Sequence, residues 1–378
     1  MVTLYGPFLP PAGRVMTGEI DIAGGQIEAV RPGAPPSAGA LVVKGTLLPG
    51  FIDLQINGAY GHDFMREPEA VIEAARRLPA TGVTGFLPTI VAAPLDHYRP
   101  WLEAIEAASA SAHGARVFGV HLEGPYLNPA KKATNRPELL RVPALQELDE
   151  VVGSFVRLMT LAPELPGALD LVAALRHRDI VVAAGHSMAT YAEAVAAFAA
   201  GVTYGTHLGN AMRGLHHRDI GLLGALLASE VPVGLIADGI HLHPEMVRLA
   251  YRLKGAGGIT LVTDTIAAFG MPPGQYALGA QTVVVDATSA HLEVDGGAVL
   301  AGAVLSMDAA VRNMMAFTGC SLAEAATMAS TTPARVLGLA RKGQITPGYD
   351  ADLTALDADG QVSLTLVDGD IVYQREGG

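Results

Sequence analysis

The sequence predicts an α/β protein: a closed (β/α)8 barrel with a small β-sandwich domain formed by both chain termini. Three observations carry this. Eight short, apolar, β-branched runs recur between residues 49 and 264, each ending in Gly or a polar residue. Alanine- and leucine-rich stretches of helical length lie between them, and strand–helix alternation implies a parallel sheet. The two ends of the chain carry β-type runs punctuated by Gly and Pro, without helical periodicity.

In chain order, residues 1–48 hold TGEIDIAGGQIEAV and ALVVKGTLL, and residues 343–378 hold GQITPGYDADLTALD and VSLTLVDGDIVYQ. Each end is too small to bury a good core alone. The economical arrangement joins 1–48 and 343–378 in one small domain beside a barrel of residues 49–342. The barrel runs are PGFIDLQING (49–58), GVTGFLPT (82–89), VFGVHLEGP (117–125), VRLMTLAPE (156–164), IVVAAGHS (180–187), GVTYGTHLGN (201–210), VPVGLIADG (231–239) and GITLVTD (258–264). Helical segments are expected at 68–78, 95–110, 168–176, 191–200 and 245–253, and 306–317 continues the series. Eight such units favour closure. The alternative, an open doubly wound sheet, lacks the Gly-rich dinucleotide loop expected after its first strand.

Composition narrows the functional class. A length of 378 residues suggests two or three domains, and one barrel of about 250 residues plus a small domain fits as well. Half the residues are hydrophobic and 16% are charged, which supplies a large core and excludes disorder. Cys320 is the one cysteine, so neither an intrachain disulfide nor a cysteine zinc cluster forms, as in a reducing compartment. The start, MVTLYGPFLPP, lacks the basic run and apolar stretch of a secretory signal. The alanine-rich tract at 194–202 is shorter than the roughly 20 apolar residues a bilayer requires. The expectation is a cytoplasmic protein with no membrane partner. A net charge of −12 argues against a nucleic-acid partner, while a local Arg/His cluster could still bind a small anion.

Barrel enzymes draw catalytic groups from strand C-terminal ends and the loops that follow. Glu123 ends the third run, His186 the fifth, His207 the sixth and Asp264 the eighth, and His241 lies just past the seventh. Glu and two His suit zinc or a similar divalent ion and leave a coordination position open. Such an ion polarises a carbonyl and acidifies a water, and Asp264 is placed to move the proton. Taken singly, a His at a strand end is more often an ordinary hydrogen-bonded residue, and Asp264 could be a helix N-cap. A buried Glu, by contrast, needs a partner or a metal. The coincidence across four strands is the stronger signal. His121 shares the inward face with Glu123 by strand alternation and could support the site without ligating. His97, His113, His177 and His291 read as surface or loop residues.

At these residues the sequence resembles the N-acetylglucosamine-6-phosphate deacetylases of the amidohydrolase superfamily. The matching stretches include PGFIDLQING, GVHLEGPYLNPAKK, TLAPE, AGHSMAT, THLGNAM, GLIADGIHLHP, LVTDTIAAFG and LAGAVLSMDAAVRNM, in family order. The resemblance implies hydrolysis of the acetamide of N-acetyl-D-glucosamine 6-phosphate, a phosphorylated amino sugar, to D-glucosamine 6-phosphate and acetate. It implies Glu123, His186 and His207 as metal ligands and Asp264 as catalytic acid/base. It also implies substrate contacts from Asn210, Ala211, Arg218, His241, Leu300, Ala301 and Gly302, and a homodimer in which Arg218 reaches the neighbouring subunit's site.

Many superfamily members carry His-x-His on the first strand for a second metal. Gln55 and Asn57 stand at those positions here and are poor ligands, so one divalent ion per subunit is expected, Zn²⁺ first, with Fe²⁺ or Mn²⁺ as alternatives. The family's Lys-Lys-Gly-x-His segment reads Lys131, Lys132, Ala133, Thr134, Asn135, which places Thr134 and Asn135 at substrate-contacting positions and replaces the His. Gly209 and Thr265 depart from the family as well. The competing activities are a related amidohydrolase acting on N-acetyl-galactosamine 6-phosphate or another N-acyl amine, and a non-catalytic sugar-phosphate binder. A cyclic-amide hydrolase would want the first-strand His pair.

Overall fold

The computed structural model describes residues 2–279, 281–286, 289–294 and 297–376. Eight parallel strands form the barrel in chain order: Phe51–Ile56, Val83–Val91, Val120–Glu123, Val156–Leu161, Val181–Ala184, Tyr204–Gly205, Val233–Leu235 and Ile259–Leu261. Their residues are buried almost throughout, as expected of strands covered on both faces. The third strand is preceded by a short paired piece, Arg116–Val117. The break between them falls at Gly119, whose φ is +134° and where a Cβ would lie 2.6 Å from the Phe155 carbonyl oxygen. Leu95–Ser109, Ala168–Arg176, Tyr191–Ala200, Gly221–Ala228, Pro244–Lys254 and Met307–Thr318 are the principal helices among the described residues. Thr190 and Glu193 close a capping box on Tyr191–Ala200. No described helix is long and apolar enough to cross a membrane.

The barrel closes between its first and eighth strands. The Asp264 amide donates to the Gln55 carbonyl at 3.0 Å, and the Asn57 amide donates to the Thr265 carbonyl at 2.8 Å. Beneath them Asp53, fully buried, accepts from Thr263 Oγ1 at 2.5 Å, the Gln55 amide at 3.1 Å and the Thr263 amide at 3.3 Å. One carboxylate thus ties both edges of the seam.

The termini meet in a separate eight-stranded sheet. Thr46–Pro49 from the first end pairs antiparallel with Leu353–Leu356 from the second. Leu4, Phe8, Ile20, Leu47, Leu353 and Leu366 belong to its own apolar core. A third sheet is not among the expected elements. Gly274–Leu278, Gln281–Val285, Ala290–Val294 and Gly297–Leu300 form an antiparallel meander between the eighth strand and Met307–Thr318. Its small core includes Ile266, Leu278, Val283 and Ala301, and it rests over one side of the barrel mouth.

Burial pushes the Asp53 carboxyl up to about 7. A carboxyl raised in the folded state contributes its stability fully below about pH 4, and that contribution is lost as pH rises through the folded value. Asp53→Asn keeps an oxygen for both backbone donors. It is expected to flatten the fall in thermal stability between about pH 4 and 8, and an unchanged slope would exclude Asp53 as its source.

Candidate metal centre and catalytic pocket

Three of the four strand-end residues named by the sequence sit in left-handed backbone: His186 at φ 48°, His207 at φ 28° and Asp264 at φ 51°. Side chains with a Cβ avoid this region, and each instance costs roughly 1–3 kcal/mol. The cost is met by packing and hydrogen bonds around the loops, and it turns the three side chains from the strand line toward the barrel axis. Glu123 needs no such turn, because it is the inward-facing last residue of its strand.

The result is a tight cluster. Glu123 Oε1 lies 2.8 Å from both His186 Nε2 and His207 Nε2, and the two nitrogens are 3.1 Å apart. All three side chains are buried. His186 Nδ1 donates to the Lys131 carbonyl at 2.8 Å, which fixes the tautomer that leaves Nε2 as a lone-pair donor. Three converging donors of these types form a group that could hold a metal ion. The three donor atoms lie 2.8–3.1 Å from one another and converge on one point, as the ligands of a single ion do. Burial works against the Glu123 charge, but hydrogen bonds and charge from both His residues outweigh it and hold the carboxyl well below its usual range. Burial likewise opposes protonation of His207, and Glu123 outweighs it and raises the imidazole.

Asp264 stands beside this cluster. Its Oδ1 accepts from Asn57 Nδ2 at 2.7 Å and from Gln55 Nε2 at 3.1 Å. Gln55 Nε2 also lies 3.4 Å from Glu123 Oε2. The first-strand amides therefore brace Asp264 and border the ligand set. Burial, joined by the Glu123 charge, pushes Asp264 up to about 6. Among the described residues the buried Asn57 Oδ1 has no hydrogen-bond partner, and Asn57 lines the pocket. His121 lies below, with Nδ1 3.2 Å from the Leu54 carbonyl and Nε2 2.8 Å from Thr160 Oγ1. Burial pushes it down to about 4, so it is a neutral interior support and not part of the cluster.

A pocket of about 360 Å³ opens over the cluster. Asn210, Ala211, His241, Leu300, Gly302, Thr134 and Asn135 all line it. Ala301 is buried and turned into the meander, its amide donating to the Ala290 carbonyl at 3.0 Å. Arg218 is exposed on a loop outside the pocket, with Nη1 2.7 Å from His217 Nε2. Asn135 spends both ends of its amide on backbone. Oδ1 accepts from the Ala92 amide and Nδ2 donates to the Lys132 carbonyl, each at 3.1 Å.

Two supporting carboxylates were not singled out by sequence reasoning. Asp238 accepts from His241 Nδ1 at 2.6 Å and from the Ile240 and His241 amides at 2.8 Å, aiming the imidazole into the pocket. The D-x-x-H spacing after the seventh strand is the signal that could have found it. Glu164 accepts from Ser187 Oγ at 2.7 Å, the Met188 amide at 2.6 Å and Asn128 Nδ2 at 2.9 Å. It binds together the loops after the third, fourth and fifth strands, directly behind His186.

The chain matches the Amidohydrolase family over residues 46–372. It is similar to the N-acetylglucosamine-6-phosphate deacetylase of Bos taurus, at 41% identity over 87% of this chain and 84% of that protein. It is also similar to the enzyme of that name from Bacillus subtilis, at 36% identity over 95% and 93%. Among solved structures, N-acetylglucosamine-6-phosphate deacetylase from Thermotoga maritima superposes with a TM-score of 0.91 at 37% identity, covering 99% of this chain and all of that one. A mutant of the Mycobacterium smegmatis enzyme in complex with N-acetyl-D-glucosamine-6-phosphate superposes with a TM-score of 0.92 at 32% identity, covering 99% of both chains.

Removing a group that orients a metal ligand typically weakens metal affinity by about 10–100-fold. Glu164→Ala is expected to weaken divalent-metal binding within that range, read by competition with a chromogenic chelator. Glu164→Gln should weaken it less, because its side-chain oxygen still accepts. Natural affinity in Glu164→Ala would remove it as a support of His186.

Proposed function

This chain belongs to the amidohydrolase family, among its N-acetylglucosamine-6-phosphate deacetylases, and from that premise we propose how its barrel mouth performs the reaction. It hydrolyses the acetamide of N-acetyl-D-glucosamine 6-phosphate to D-glucosamine 6-phosphate and acetate. The observation that carries the residue-level reading is the buried Glu123–His186–His207 cluster with Asp264 beside it.

The family uses a divalent metal, and the donor set fits one: Glu123, His186 and His207 would hold it, with Zn²⁺ first and Fe²⁺ or Mn²⁺ as alternatives. When bound, the ion supplies Lewis-acid polarisation of the amide carbonyl and a lowered pKa for water. Gln55 and Asn57 spend their amide donors on Asp264, which supports a single-metal site. Asp264 takes the proton of the attacking water and returns it to the departing nitrogen. That return is essential, since an unprotonated amine is a very poor leaving group. Gln55 and Asn57 keep the carboxylate aimed, and their hydrogen bonds favour its ionised form against the pull of burial.

His241, held by Asp238, and the loop carrying Asn210 and Ala211 face the sugar phosphate across the pocket. Thr134 and Asn135 border the acyl side of the pocket, and Leu300 and Gly302 close it further, with Ala301 acting through the backbone between them. Binding energy from the phosphate holds the amide in a reactive pose. Arg218, exposed and outside its own pocket, suits a role in a neighbour's, where a guanidinium fork would meet the phosphate. The working form is then a homodimer. The lone Cys320 supports a cytoplasmic location. The barrel of 49–342 carries the chemistry, and 1–48 with 343–378 make the small domain.

Asp264→Asn is expected to bind the sugar phosphate with near-natural affinity while kcat falls by at least about 10²-fold. Near-natural turnover, followed by acetate release, would sink the acid/base assignment. Because Asp264 must be ionised to accept a proton, kcat/KM should drop on the acid side. A bound cation draws the carboxyl down further, so the limb should fall no higher than about pH 6. A limb well above that would assign the base elsewhere.

A further inference from the structure

A second hollow of about 350 Å³ adjoins the catalytic pocket. The two share Val91, Thr134, Asn135 and Leu278 as a common rim. Val91 is level with Glu123 in the strand register, so the rim begins one strand from the metal cluster. Beyond it the hollow is lined mainly by Met65, Pro94, Trp101 and Leu139, with the His97 ring packed edge-on against Trp101. Two of the rim's polar groups are already engaged, the Asn135 side chain through both ends of its amide and the Thr134 carbonyl by Gln281 Nε2. An alkyl chain crossing the rim would not have to break the bonds of the Asn135 side chain or the Thr134 carbonyl. The two arginines at the outer edge are also occupied, Arg66 on the Gly279 carbonyl and Arg136 on Glu138.

Orientation follows from which loops face the pocket. The polar groups suited to a sugar phosphate, Asn210, Ala211 and His241, come after the sixth and seventh strands. The shared rim comes from the second strand, the loop after the third, and the meander. An amide carbon over the metal cluster therefore has its nitrogen and sugar on one side and its alkyl group on the side of the rim.

We propose that this hollow receives the tails of N-acyl groups longer than acetyl, so that the enzyme also hydrolyses N-propionyl and N-butyryl glucosamine 6-phosphate. The inference rests on the deacetylase reading above. The reaction is the same with a longer acid: the amide C–N bond breaks, water supplies the oxygen of the new carboxylate, and the nitrogen leaves protonated as the ammonium of glucosamine 6-phosphate. A closed acetyl pocket rejects each added methylene by about 10–200-fold. A pocket that opens into an apolar hollow does not.

The test is kcat/KM of the metal-loaded full chain on the N-acetyl, N-propionyl and N-butyryl substrates, read by amine release. The expected result is N-butyryl within about tenfold of N-acetyl. Leu139→Trp fills the hollow from its lining and should lower N-butyryl turnover by at least about tenfold while leaving N-acetyl turnover unchanged. Met65→Trp obstructs it from a second lining position with the same expectation, and N-acetyl turnover reports folding of either variant. N-acetyl cleavage with N-butyryl more than about 100-fold slower overturns this inference and leaves the deacetylase reading intact. N-butyryl cleavage indifferent to both obstructions also overturns it, because the tail then lies elsewhere. Failure to cleave any of the three overturns both readings.

Discussion

The seam between the first and eighth strands is the constraint on which the site depends. A parallel barrel leaves unpaired edges until its last strand meets its first. Here the meeting is made by two backbone hydrogen bonds at the mouth and by the buried Asp53 carboxylate beneath them. The same closure brings Gln55 and Asn57 against Asp264 across more than 200 residues of chain. Without it the carboxylate would have neither its donors nor its place beside Glu123. The group that secures the fold and the polar groups that line the pocket are therefore adjacent layers of one seam.

Around that seam the structure holds strain in place. His186, His207 and Asp264 all occupy backbone conformations that side chains avoid. Such strain persists only where surrounding contacts over-determine it. Glu164 supplies part of that determination at His186 by tying three loops together, while Asp238 holds the unstrained loop and ring of His241. Neither carboxylate touches the cluster. Asp238 fixes the direction of the His241 imidazole by bonding its Nδ1, whereas Glu164 holds the backbone beside His186, whose ring is set by the Lys131 carbonyl.

Much of this was legible in the chain. The eight runs are apolar on both faces, which is the signature of strands covered by helices, and their polar endings mark the mouth of the barrel. Glu123, His186 and His207 could be picked out because each interrupts an apolar run at the same structural level. The meander at 274–300 was not legible in the same way. Its alternating strands are short, its core is small, and it lies within a stretch that the strand–helix rhythm does not predict. Asn135 was visible as a change of residue type, but its engagement with the Ala92 amide and the Lys132 carbonyl depends on how its loop folds back on the second strand.

The sequence by itself determined the barrel, the union of the two ends, the family and the residues able to hold a metal. Those follow from local periodicity and from residue types whose chemistry is narrow. Only the tertiary structure decided that Gln55 and Asn57 brace Asp264, that Asp238 aims His241 while Glu164 ties the loops beside His186, and that a mainly apolar hollow adjoins the pocket at Val91 and Asn135. These depend on contacts between segments far apart in the chain, where distance and direction are set by closure of the barrel and carry no periodic trace in the sequence.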